Sequence, residues 1–256
     1  MTTLASADVV GVFNLRDLGG FETGAGGTTR SGLVHRADGL HRTDAAGRSL
    51  LVARGLDTVI DLRTMEELDG DGRFDHPEVT YHHLPIIDTL DPFGDDVDPD
   101  ANVLLLSYLG WLAENGKAFA AVLEVVAGAV DDERPVVFHC TAGKDRTGLT
   151  AALILAAVGL DGDAIAADYA RSAAAMPRLR EWYTAKAEAG DDSPMQQMRR
   201  AMSANQQAIM MGAEPATMLA VLDHLGADRG GVDTYLAEIG AAESMARIKA
   251  GLAPSD

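Results

Sequence analysis

Cys140 and Arg146 stand six positions apart in His139-Cys140-Thr141-Ala142-Gly143-Lys144-Asp145-Arg146-Thr147-Gly148. A cysteine attacks as its thiolate, and a helix N-terminus together with nearby cations favours that form. The run before the decapeptide, Arg134-Pro135-Val136-Val137-Phe138, reads as a strand, and the run after it, Leu149 to Ala156, as a helix. Strand, glycine-bearing loop and helix N-terminus in that order make a cradle for an anion. The backbone amides of Thr141, Ala142, Gly143, Lys144, Asp145 and Arg146 are expected to converge in front of the sulfur. Arg146 can fork onto two phosphate oxygens. Gly143 is expected to let the backbone approach the ligand. The Thr147 hydroxyl can donate to the sulfur, and His139 can brace the loop.

This constellation predicts in-line attack of Cys140 on phosphorus and a phosphocysteine intermediate, with amides and Arg146 stabilising the equatorial oxygens. The chemistry calls for no metal and no cofactor. A nucleotide-binding phosphate loop is excluded, because its Lys-Ser/Thr ending is absent and a cysteine leads the loop. The competing readings are a buried structural cysteine and a phosphate-binding module without turnover.

The surrounding chain must position those residues. It has 256 residues with 47% apolar content, enough for one large domain over 1–256 with a sizeable core. A single cysteine excludes an internal disulfide framework and a cysteine-rich zinc site, so a reducing, cytoplasmic setting is expected. Met1 to Asp8 have neither a basic start nor a long apolar stretch, so no secretory signal is expected. No run approaches the ~20 apolar residues of a membrane span. The net charge of −18 argues against nucleic acid and against an anionic membrane surface. Attraction of phosphate must therefore be local.

In order, residues 1–10 read as a tail, and Gly11 to Gly20 as a short strand entering a tight turn. Thr23 to Arg30 reads as a hairpin connection and Leu33 to Arg36 as a strand. Thr43 or Asp44 can cap a helix through Arg54. Asp57 to Leu62 is a strand, and Thr64 with Glu67 forms a capping box. Val79 to Pro85 is the next strand, followed by a long, polar, mobile loop to Asp100. Ala101 to Glu114 and Lys117 to Val130 have helical periodicity. Beyond the loop helix, Ala164 to Ala175 is helical and nothing after Met176 reads as a strand. The pattern is an α/β fold with a central sheet flanked by helices and an all-helical C-terminal part. Residues 176–211, rich in methionine, fit either ordinary packing helices or a helical lid over the site.

The decapeptide resembles the signature loop of the cysteine-dependent protein tyrosine phosphatases, and Lys144-Asp145 resembles the bacterial and fungal branch of tyrosine and lipid phosphatases. The likeness extends to Asn14-Leu15-Arg16-Asp17-Leu18-Gly19-Gly20, Arg30-Ser31-Gly32 with Arg36, Asp61-Leu62-Arg63 and the Tyr235-Leu236 helix. It implies a tyrosine phosphatase-like fold. It also implies hydrolysis of phosphotyrosine, often with phosphoserine, phosphothreonine or phosphoinositide activity, on a phosphorylated protein or phosphoinositide substrate. Some members carry a paired-helix lid, and some are exported without a standard signal peptide.

The leaving oxygen needs a proton, and an aspartic acid is expected to give it. Asp61 ends a strand that should neighbour the loop, and the resemblance favours it. Asp88 follows Leu84-Pro85, where dual-specificity phosphatases carry their acid. Asp145 lies inside the cradle itself. Lys144 reads equally as a contact to a second phosphate and as a solvated loop lysine. Arg16 and Asp17 are expected to fix the N-terminal turn.

Overall fold

Apolar residues alternate along the strands, and the alternation sorts them onto two faces. Val34, Ile60, Val136 and Phe138 face one core, while Ala37, Val59 and Val137 face a second. The structure is a computed structural model that describes residues 3–23, 26–90 and 102–253.

In chain order the elements are β1 (Arg16–Asp17), β2 (Val34–Ala37), α1 (Ala45–Ala53), β3 (Thr58–Asp61), α2 (Met65–Asp71), β4 (Thr80–His83), α3 (Val103–Glu114), α4 (Gly116–Asp131) and β5 (Val136–His139). Then follow α5 (Asp145–Ala157), α6 (Gly162–Ala170), α7 (Met176–Glu188), α8 (Pro194–Ala201), α9 (Ala204–Met211), α10 (Pro215–Arg229), α11 (Val232–Glu238) and α12 (Ala242–Leu252). The sheet runs β1-β2-β5-β3-β4. β2, β5, β3 and β4 are parallel, and β1 lies antiparallel on the edge.

β5 is inserted between β2 and β3, with His139 in register with both Ala37 and Asp61. The carboxyl ends of these strands therefore meet at one rim, where open α/β sheets bind ligands. The larger core packs helices α3, α4, α5 and α10 to α12 against the sheet. On the opposite face Leu51 of α1 joins Leu40, Leu56 and Phe74.

Two expectations change. The predicted tail is packed: Leu4 and Val9 are each 3% exposed and join the second core. The helix predicted over Ala164 to Ala175 divides into α6 and a 3-10 turn, Arg171–Ala175. The Asp168 carbonyl accepts Arg16 Nη2 at 2.8 Å, a side-chain insertion that disturbs the helical ladder at that point. In the polar loop ending at Asp100, residues 91–100 lie outside the described residues.

Candidate active site

The loop after β5 is shaped from behind, through its carbonyls. Thr141 O accepts Gly39 N and Arg42 Nη1, each at 3.1 Å. Asn14 Nδ2 donates to Ala142 O at 3.1 Å and Gly143 O at 3.0 Å, and Arg36 Nη2 donates to Gly143 O at 2.7 Å. His139 Nδ1 lies 3.1 Å from Cys140 O. The amides of Thr141 to Lys144 donate to no group among the described residues. Anchored carbonyls and unused amides are the two sides of an anion nest. The N-terminus of α5 adds its positive end.

Gly143 is required by its packing against β2. Its φ is +66°, and a Cβ there would lie 2.5 Å from Ala37 O and 2.6 Å from Asp38 N. The close approach is to the end of β2. The braces are themselves held. Asp38 accepts the amides of Phe13 and Asn14 at 2.9 and 2.8 Å and pairs with Arg42. Asp168 pairs with Arg16 at 2.7 Å and Arg36 at 2.6 Å. Burial alone would raise the Asp168 carboxyl, but Arg36 and Arg16 outweigh it and hold it below the usual range. Asp17 accepts Gly19 N and Gly32 N, both at 2.7 Å, and so fixes the N-terminal turn.

Arg146 is 5% exposed and is held by Glu67 of α2 through Nη1–Oε2 at 2.5 Å and Nη2–Oε1 at 2.9 Å. Thr141 Oγ1 also donates to Glu67. Burial would raise Glu67, but Arg146 and these hydrogen bonds bring it down to about 2. Arg146 moves up, because the attraction of Glu67 exceeds the cost of burial. A bidentate partner on one edge fixes the guanidinium plane and leaves its other N–H groups for phosphate oxygens.

Cys140, Thr141, Ala142, Asp145 and Arg146 line a cavity of about 120 Å³. Its other walls come largely from α7, α8 and α9, with Met176, Leu179, Tyr183, Met198, Met202 and Met210 among the lining side chains. Leu90 closes one side. Cys140 is 1% exposed.

The sequence model of the tyrosine phosphatase family matches residues 7–253. The chain belongs to the tyrosine phosphatase family. It is 33% identical over 204 residues to the triple specificity protein phosphatase PtpB of Mycobacterium tuberculosis, covering 69% of this chain and 72% of that protein. It is 31% identical over 222 residues to a tyrosine-protein phosphatase of Nostoc commune, covering 82% of this chain and 70% of that protein.

In this phosphatase the three candidate acids occupy different places. Asp61 lies at the end of β3, is 0% exposed and does not line the cavity. It binds Arg63 Nη2 at 2.7 Å and accepts the Tyr81 hydroxyl at 2.9 Å. Burial alone would raise its carboxyl. The neighbouring His139 ring, 3.7 Å away, and the Arg63 guanidinium outweigh burial and hold it well below the carboxylate range. Burial in turn lowers His139. Asp88 is exposed and also off the cavity. Asp145 lines it. Its Oδ1 accepts the Tyr108 hydroxyl and lies 3.2 Å from Lys144 Nζ, while its Oδ2 has no hydrogen-bond partner among the described residues.

Lys144 fits neither role read from the sequence. Its side chain is 0% exposed, and Nζ donates to Met210 O at 2.6 Å and Gly212 O at 2.8 Å, at the C-terminal end of α9. The Thr147 hydroxyl is buried without a partner among the described residues.

Sequence reasoning missed Glu67, Asn14, Arg36, Arg42, Tyr108 and Asp168 as parts of the site. For Glu67 a signal existed, since a buried carboxylate is needed wherever an arginine is buried. The capping box with Thr64, which is present, already accounted for that residue. Among the described residues no group of acidic, histidine or cysteine side chains has the spacing to hold a metal ion.

Proposed function

We propose that this tyrosine phosphatase works through Cys140 as nucleophile, Arg146 and the loop amides as the phosphate clamp, and Asp145 as the proton donor. The single observation that carries the reading is that Asp145 shares one cavity with Cys140 and Arg146, whereas Asp61 and Asp88 do not. In the first step Cys140 Sγ forms a bond to phosphorus as the bond to the leaving oxygen breaks, and Asp145 gives that oxygen its proton. In the second, the Asp145 carboxylate takes a proton from water as the water oxygen attacks phosphorus. The S–P bond breaks, the thiolate returns, and inorganic phosphate leaves. Thr147 is suited to donate to the sulfur in both steps. Asp61, ionised and paired with Arg63, serves instead to hold the rim of the sheet.

Phosphotyrosyl protein is the proposed substrate. The apolar walls suit an aromatic ring, and the cavity of about 120 Å³ is comparable with the ~150 Å³ apolar cavity that takes up benzene. A relative with triple specificity supports testing phosphoserine, phosphothreonine and phosphoinositide as well. Residues 176–211 are proposed as a lid, since α7, α8 and α9 all contribute walls to the cavity. A reducing, cytoplasmic setting would keep the lone thiol competent.

The test is hydrolysis of a phosphotyrosyl peptide and of para-nitrophenyl phosphate without added metal. Cys140→Ser is expected to abolish turnover while still binding vanadate. Asp145→Asn is expected to lower kcat on the peptide by about 10²–10⁴-fold and to remove the basic limb of its pH profile. The loss should be smaller on para-nitrophenyl phosphate, whose leaving group scarcely needs a proton. A basic limb that persists in Asp145→Asn and disappears in Asp61→Asn would return the role to Asp61.

A further inference from the structure

Arg180 of α7 and Arg199 of α8 line the same cavity as Cys140 and Arg146. Neither guanidinium has a carboxylate within ion-pair distance among the described residues. That is unexpected in a chain with 39 acidic and 21 basic residues, where a carboxylate is the commoner neighbour. Arg199 instead lies over the Tyr183 ring, 4.6 Å from its centroid. The positive end of Lys144, which the sequence offered for a second phosphate, is directed to the α9 carbonyls.

We infer that Arg180 and Arg199 form a subsite for a second anionic group of the substrate, a carboxylate or phosphoryl group flanking the phosphotyrosine in a peptide. The inference depends on the reading of Cys140 as the nucleophile of a phosphotyrosine phosphatase. The wall chemistry selects a peptide over an inositol lipid. The hydroxyls of an inositol ring would be buried without partners wherever they met Met176, Leu179 and Met202. A tyrosine ring has no such groups between its phosphate and its backbone. Placing two cations on separate helices of one wall also leaves them repelling each other until an anion arrives. Burial and the charge of Arg180 lower Arg199, the direction an anionic guest would reverse.

Two phosphotyrosyl peptides of equal length are compared, one with glutamates and one with glutamines flanking the phosphotyrosine. Each is measured with the wild-type chain, Arg180→Gln/Arg199→Gln and Arg180→Lys/Arg199→Lys. The ratio of kcat/KM between the two peptides is read within each variant, so a general loss of activity does not enter it. The wild type is expected to favour the acidic peptide by ~10-fold, mainly through KM. The glutamine variant should bring the ratio near unity, and the lysine variant should restore part of it. A wild-type ratio near one, or one unchanged in the glutamine variant, overturns the subsite. A soluble inositol phosphate cleaved faster than either peptide, with that advantage lost in the glutamine variant, overturns the peptide assignment. Hydrolysis surviving in Cys140→Ser would instead overturn the underlying reading of the site.

Discussion

Glu67 does two jobs with one carboxylate. Its Oε2 accepts Thr64 N at 2.9 Å, closing the capping box of α2, and accepts Arg146 Nη1 at 2.5 Å. Removing its charge leaves a buried cation without a partner, a change that costs about 3–5 kcal/mol. Glu67→Gln is therefore expected to lower the urea midpoint sharply at pH 7 and to reduce kcat. A midpoint within error of wild type would show that Arg146 finds another partner. The pH dependence has a definite sign. The Glu67 carboxyl falls from an ordinary 4.5 to about 2 on folding, so its contribution is complete above about pH 5 and is lost as pH falls through about 2. The difference amounts to about 3 kcal/mol. Acid unfolding curves of wild type and Glu67→Gln should thus converge toward pH 2. The loop after β5 was legible because its strand, cysteine, glycine, arginine and helix are contiguous. Glu67 lies 79 residues from Arg146, and nothing local records that pairing.

Among the elements, α9 is tied to the loop through the Lys144 ammonium group. Lys144 Nζ meets the Met210 and Gly212 carbonyls, groups that a helix C-terminus leaves without intrahelical partners. Charged hydrogen bonds of this kind contribute about 1.5–3 kcal/mol. Lys144→Met is expected to speed amide deuterium exchange in α9 by roughly 10–100-fold while leaving the middle of α5 unchanged. Equal rates in α9 would mean that its apolar contacts alone hold it. At this scale the sequence was informative wherever a signal was local. Asp44 caps α1, and Thr64 with Glu67 forms the capping box of α2. The break after α6 was not legible, because the arginine that makes it lies 152 residues away. The order of the sheet was not legible either, since β5 enters between strands formed much earlier in the chain.

Across the whole molecule, a net charge of −18 opposes the approach of any phosphate ester until it comes within reach of the loop. Salt screens that repulsion over about 10 Å at 0.1 M. For para-nitrophenyl phosphate, kcat/KM is expected to rise about two- to fivefold between 0.02 and 0.2 M salt. A fall would mean that the field of the loop and its arginines extends beyond the acidic surface. Of the described residues, no helix is long and apolar enough to cross a membrane.

The Lys144 clamp also sets what a binding measurement on this protein reports. Under the proposed lid, an anion would reach the sulfur of Cys140, which is 1% exposed, in those molecules whose α9 end has let go. Apparent affinity is then intrinsic affinity divided by the released fraction, so a release of ~1% weakens every active-site ligand ~100-fold. A substitution that loosens the clamp lowers stability and raises that fraction together. Ligand affinity and resistance to denaturant should therefore move in opposite directions across a series of Lys144 variants, and the less stable protein would be the better receptor for phosphate.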